Sequence, residues 1–148
     1  MPRTGRVVSL TGYNHIIARG NGGICIFEDD EDRYRILTLF EDKLVGNGIG
    51  VIAWCLMPNH FHLMVDDPHG KISSCMSGVL TSYAMYFNRK TDRVGHLFQD
   101  RFTNIPVEND AQAISLADYI HVNPVKAGVS AADNYRWSSY RAYAYGYD

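Results

Sequence analysis

The spacing of apolar residues divides the chain into stretches that repeat every three to four residues and shorter stretches that do not. The clearest helix lies over 72–89, where Ile72, Cys75, Met76, Val79, Leu80, Tyr83, Tyr86 and Phe87 recur at helical intervals and share one face. Tyr34, Leu37, Phe40 and Leu44 mark a second helical face over 29–45, after which Gly46-Asn47-Gly48 interrupts the chain. The stretches 50–56 and 60–65 are apolar runs of strand length on either side of Met57-Pro58-Asn59, a pattern that predicts a β-hairpin. Residues 11–19 predict an earlier strand carrying Tyr13 and His15, and 102–107 a last one.

A third helix is predicted beyond Asn109 or Asp110, either of which can cap it. At roughly 100° per residue, Ala113, Ile114, Ala117, Ile120 and His121 form its core stripe, Tyr119 falls nearly opposite, and Asn123 lies one turn on from Tyr119. A tyrosine and an amide therefore leave this helix together. Pro124 disfavours helical geometry at the preceding residue and predicts that the helix ends at Asn123. The order βαββαβ plus a final helix predicts an α+β fold of the ferredoxin-like kind: an antiparallel sheet with helices on one face, plus a C-terminal tyrosine-bearing helix.

The length of 148 residues suits one domain, 1–148, with a sizeable core. No apolar run approaches the roughly 18 residues of a membrane span, and no basic, apolar leader is present. The expectation is a cytoplasmic protein with no membrane partner. Cys25, Cys55 and Cys75 are odd in number and lack Cys-x-x-Cys spacing, which predicts small buried hydrophobes rather than disulfides or structural zinc. The acidic run Glu28-Asp29-Asp30-Glu31-Asp32 reads as a helix first turn stabilised by the helix dipole.

The chemistry sits at His60-Phe61-His62. On a strand, residues two apart share a face, so two imidazoles point the same way on a rigid support, with Phe61 turned into the opposite layer. Imidazole is the commonest side-chain metal ligand, and this pair makes half of a metal site. His15, His96 and His121 are read as structural, His121 because it lies on a core stripe and the others because they lack a partner at ligand spacing. His69 falls in a turn and carries no role.

Several segments in order resemble a known family: Tyr13 to Asn21, Met57 to His62, Gly95-His96-Leu97-Phe98-Gln99-Asp100-Arg101-Phe102, Tyr119-Ile120-His121-Val122-Asn123-Pro124-Val125-Lys126-Ala127-Gly128, and Trp137-Ser138-Ser139-Tyr140. The chain resembles the HUH single-tyrosine transposases, and within them the REP-associated tyrosine transposases. The resemblance implies that His60 and His62 bind a divalent metal, Mg²⁺ or Mn²⁺, and that Tyr119 attacks DNA. Asn123 stands where the broader family often has a glutamine as third ligand, one methylene longer. Two imidazoles suit Mn²⁺ better than Mg²⁺, which prefers oxygen. The implied substrate is single-stranded DNA with hairpins, and the implied assembly a monomer or homodimer.

The formal charge of −2 and pI near 6.3 are not those of a bulk electrostatic DNA binder, so binding must depend on local patches. Arg19, Arg89, Lys90, Arg101 and Lys126 are the candidate phosphate contacts, with Lys71, Arg93, Arg136 and Arg141 as further cations. Tyr13, Tyr86, Trp137, Tyr140 and Tyr143 are available for stacking on bases, though most are expected to be buried. Two other classes fit the same residues: a zinc hydrolase using His60 and His62 with water as nucleophile, and a domesticated hairpin-binding module that no longer cuts.

Overall fold

The computed structural model describes residues 11–99, 101–126, 128 and 135–140. The strands are β1 (Tyr13–Arg19), β2 (Gly50–Met57), β3 (His60–Asp66) and β4 (Thr103–Pro106); the helices are α1 (Asp30–Lys43), α2 (Ile72–Thr91) and α3 (Asp110–Lys126). The sheet order is β2-β3-β1-β4 with every neighbouring pair antiparallel, the ferredoxin-like plan expected from the element order.

Strand alternation decides which layer each side chain joins. Phe61, Leu63 and Val65 are fully buried and belong to the layer under α1 and α2, where the Phe61 ring meets Phe40 at 5.4 Å between centroids. His60, His62 and Met64 point to the other face, which α3 covers. Tyr83 of α2 donates its hydroxyl to the Ile26 carbonyl and so joins the helical layer to the loop before α1. Buried Asp67 caps α2 from outside the helix, accepting from the Lys71 and Ile72 amides at 2.8 and 2.9 Å.

Four expectations change on folding. Tyr34 is exposed, and Ile36, Phe40 and Leu44 carry the buried face of α1, because the helix packs on α2 along a stripe rotated from the one expected. On α3, Ile114 is exposed and Leu116 takes its place beside Ala113, Ala117 and Ile120. The helix does not stop at Asn123: it runs to Lys126 with Pro124 inside it and buried, so packing of the proline ring outweighs the lost N–H bond. Cys25 is exposed, unlike Cys55.

The acidic run is only partly a solvated first turn. Asp29 caps α1 by accepting from the Asp32 amide at 3.1 Å, whereas Asp32 is completely buried. It accepts from the Tyr86 hydroxyl at 2.6 Å, the Lys90 ammonium at 2.7 Å and the Glu28 amide at 2.8 Å. Burial alone would raise its pKa, but these donors together hold it below the ordinary value. One aspartate thus ties α1 to α2.

Residues 135–140 lie against the free edge of β2. Ser138 bridges Cys55, the Leu56 amide donates to the Trp137 carbonyl at 2.8 Å, and the Ser139 amide donates to the Trp54 carbonyl at 2.9 Å. With Tyr135 and Trp137 buried, this segment caps the sheet edge with aromatic side chains.

Candidate active site

The turn that launches His60 is held from below. The Gly20 amide donates to the Asn59 carbonyl at 2.8 Å and the Ile26 amide to the Pro58 carbonyl at 2.9 Å. Gly20 is required for this approach, since a Cβ there would lie 2.3 Å from the Ile24 carbonyl oxygen. Each histidine then has its Nδ1 occupied: His60 Nδ1 is 2.7 Å from Asn59 Oδ1, and His62 Nδ1 is 3.0 Å from His15 Nε2.

Helix α3 supplies the rest. Asn109 caps it by accepting from the Gln112 amide at 2.9 Å, and further along His121 lies 2.7 Å from Ser139 Oγ, which accepts from the Trp54 amide at 2.9 Å. The helix is therefore pinned to the sheet edge at a residue that lies between Tyr119 and Asn123. Asn123 Nδ2 lies 3.2 Å from His62 Nε2. Tyr119 presents its ring edge-on to His62 at 5.7 Å and to His15 at 6.2 Å between centroids, while remaining 43% exposed. A partly exposed tyrosine ring therefore stands against two buried imidazoles on the face that α3 covers.

The electrostatics favour uncharged imidazoles. Burial pushes His62 down to about 3, helped by the nearby His15, His60 and Arg19. It also lowers His60, with Arg19 acting in the same sense and the Asn123 side chain opposing. Neutral imidazole is the form that ligates a metal. Among the described residues no three histidine, cysteine, aspartate or glutamate side chains gather as a metal cage; the third group between His60 and His62 is an amide. Two neutral nitrogens and one amide oxygen, available by turning Asn123 over, fit a divalent cation that keeps open positions for water and phosphate.

The profile of the IS200-like transposases matches residues 9–123. The chain belongs to that family. No curated protein sequence matches it. In three dimensions the transposase is similar to a REP-associated tyrosine transposase bound to a REP hairpin, at a TM-score of 0.75 and 22% identity, covering 100% of this chain and 89% of the other. It is also similar to a Deinococcus radiodurans R1 protein carrying a provisional transposase assignment, at a TM-score of 0.54 and 16% identity, covering 88% of this chain and 99% of that one. At such identities the likeness is one of fold.

Of the cations expected to meet DNA, two lie at this site. Arg19 pairs in register with His60 across β1 and β3, so both project from the same face, and Lys126 places Nζ 5.5 Å from the Tyr119 ring centroid. Lys90 is held at 2.7 Å by both Asp29 and Asp32. Arg89 is exposed beside it near the end of α2, the helix on the opposite layer. Arg101 precedes β4 and Lys71 precedes α2, Arg93 donates to the His96 carbonyl at 3.0 Å, and Arg136 stacks on Trp137. Arg141 and Tyr143 lie outside the described residues. Of the stacking candidates, Trp137 is buried and Tyr86 is bound to Asp32, while Tyr140 packs edge-on against His121 at 5.7 Å between centroids.

Two residues of the candidate site carried no signal by themselves. Asn59 needed the hairpin turn, and His15, which has no partner at ligand spacing in the sequence, reaches His62 only because β1 runs antiparallel beside β3. Ile17 pairs with His62 and His15 with Met64, so His15 is a diagonal neighbour of His62 on the same face. The β1-β3 pairing was the missing information.

Proposed function

We propose that this transposase is a metal-dependent single-stranded DNA endonuclease and strand transferase with Tyr119 as its nucleophile. The observation that carries the reading is the delivery of Tyr119 and Asn123 by one helix onto the face of the sheet that presents His60 and His62. The solved relative bound to a REP hairpin supports single-stranded DNA with hairpins as the substrate.

In the proposed reaction Tyr119 Oη forms a bond to phosphorus as the bond to one bridging oxygen breaks. The products are a phosphotyrosine and a free hydroxyl, and the phenol proton ends on that hydroxyl. Because the phosphodiester energy stays in the covalent bond, a second DNA end can reverse the step with a new partner. His60, His62 and Asn123 would hold Mg²⁺ or Mn²⁺, which when bound polarises a nonbridging oxygen and offsets transition-state charge. Arg19, beside His60, would meet the phosphate from the protein side. Lys126 packs against the tyrosine ring and would orient it. The position of Tyr119 favours this chemistry over hydrolysis by water.

The test incubates the protein with end-labelled single-stranded hairpin oligonucleotides and Mn²⁺ or Mg²⁺, followed by a denaturing gel. The expected result is a covalent protein–DNA band that disappears in Tyr119→Phe, with hairpin binding retained. Cleavage by this variant at the wild-type rate would remove Tyr119 as the nucleophile.

A further inference from the structure

The unassigned feature closest to the chemistry is buried His15. Its ring lies nearly coplanar with that of His62, 5.3 Å between centroids with 22° between planes, and meets it edge to edge, its Nε2 3.0 Å from His62 Nδ1. It is 8% exposed and His62 is 1% exposed, so water has little access to this contact. A hydrogen bond between two neutral imidazoles contains one proton: one ring donates and the other accepts.

The far side of His62 decides the direction. Its Nε2 faces the Asn123 amide nitrogen at 3.2 Å, and an NH₂ group can only donate. His62 Nε2 then carries the lone pair, its proton sits on Nδ1, and His15 accepts at Nε2. The reversed chain, with the amide turned over in the metal-free site, would put a proton on His62 Nε2 and close that nitrogen to a metal. His60 shows the same logic with a different partner, its Nδ1 facing Asn59 Oδ1 at 2.7 Å.

We infer that His15 is a positioning residue: it accepts the Nδ1 proton of His62 and holds that ring in the tautomer and orientation whose Nε2 is open to the metal. This rests on the metal-binding role proposed above for His60 and His62. Metal-bound histidines almost always give their second N–H to a carboxylate, a carbonyl or water, and losing that partner costs about 10- to 100-fold in metal affinity. An imidazole does the same work without negative charge. A carboxylate behind His62 would repel the phosphodiester that the site must admit, whereas His15 leaves the site neutral beside Arg19. The edge-on contact of His15 with Tyr119, 6.2 Å between centroids, extends the same support to the nucleophile's ring.

Two measurements test this. Nitrogen-15 NMR with long-range proton correlation on the metal-free protein reads the His62 tautomer; a proton on Nδ1 is expected, and a proton on Nε2 overturns the inference. Mn²⁺ affinity by electron paramagnetic resonance is then compared for the wild type, His15→Gln and His15→Leu. The glutamine oxygen can accept near the position of Nε2, so His15→Gln keeps most of the affinity, while His15→Leu loses about 10- to 100-fold. Near-UV circular dichroism establishes that each variant is folded; if His15→Leu is not, the tautomer and His15→Gln still decide. Equal affinities in wild type and His15→Leu, or an equal loss in both variants, overturn the inference. A wild type that binds no Mn²⁺ overturns the metal reading instead, and the NMR result stands apart from it.

Discussion

Acid should unfold this protein well above the pH at which carboxylates protonate, because its candidate site is built from buried neutral histidines. Burial pushes His15 down to about 4 and His62 to about 3, against about 6.5 for a histidine in the unfolded chain. A group whose folded pKa is depressed contributes its stability in full above the unfolded value and loses it as pH falls toward the folded one. Below pH 6.5 the unfolded chain takes up protons that the folded chain refuses. Each such group costs about 1.4 kcal/mol per pH unit. The pair together therefore cost about 2.7 kcal/mol per unit and about 5 kcal/mol between pH 7 and 4.5. Domains of this kind have roughly 5–15 kcal/mol in all, so the loss is a large share of the total. His60 and His121 are lowered by burial as well and act in the same direction. Asp29 and Asp32 are held below the ordinary carboxylate value, so their contributions fade only at lower pH. The assay is urea denaturation at fixed pH steps from 7 to 4.5 in EDTA, followed by tryptophan fluorescence. His15→Leu removes one of these groups and should lower the slope by about 1.4 kcal/mol per pH unit. A stability that changes by less than about 1 kcal/mol across this range, beyond the extrapolation error, would refute the reasoning.

Three further outcomes are expected. His60→Ala and His62→Ala each lose Mn²⁺ binding in calorimetry while Asn123→Ala loses less, since an amide is a weaker ligand than imidazole, and Mn²⁺ supports half-maximal cleavage at a lower concentration than Mg²⁺; unchanged affinity in either histidine variant places the metal elsewhere, and tighter apparent Mg²⁺ binding means that the two imidazoles do not act together. Asp32→Ala leaves the Tyr86 hydroxyl, the Lys90 ammonium and the Glu28 amide without their acceptor and destabilises by about 3 kcal/mol in urea denaturation; Asp32→Asn keeps an accepting oxygen and costs less, and an alanine variant as stable as the wild type would show that the network holds nothing.

The strands and helices were legible because their apolar spacing is local: Ile72 to Phe87 repeats as a helix and His60-Phe61-His62 alternates as a strand whatever lies around them. That alternation places the two histidines on one face, and α3 delivers Tyr119 and Asn123 to it. What depended on other elements was hidden. Pro124 reads locally as a helix end, yet packing keeps it inside α3. Asp32 looks like one more first-turn acid until α2 brings Tyr86 and Lys90 to it. His15 reads as an isolated strand histidine because its partner lies 47 residues away in sequence. Each omission came from a non-local contact that periodicity cannot contain.

The charge distribution follows from the same separation of layers. A net charge of −2 opposes DNA binding only if the negative charge lies where the DNA does. Asp29 and Asp32 are engaged with Lys90 between α1 and α2, and Asp30 lies at the start of α1, 3.6 Å from Arg33 and 3.4 Å from Arg136. Those acids belong to the helical layer. The opposite face carries His15, His60, His62 and Asn123, all neutral or held neutral by burial, with Arg19 across from His60 and Lys126 against Tyr119. A phosphodiester approaching that face meets fixed positive charge at the edges and, among the described residues, no carboxylate in contact with the two histidines. Burial keeps the imidazoles uncharged, the form that metal ligation would require, and the flanking cations supply the positive charge they do not. A weakly acidic protein can in this way offer a locally positive site without the overall basic charge expected of a protein that grips the duplex backbone along its length.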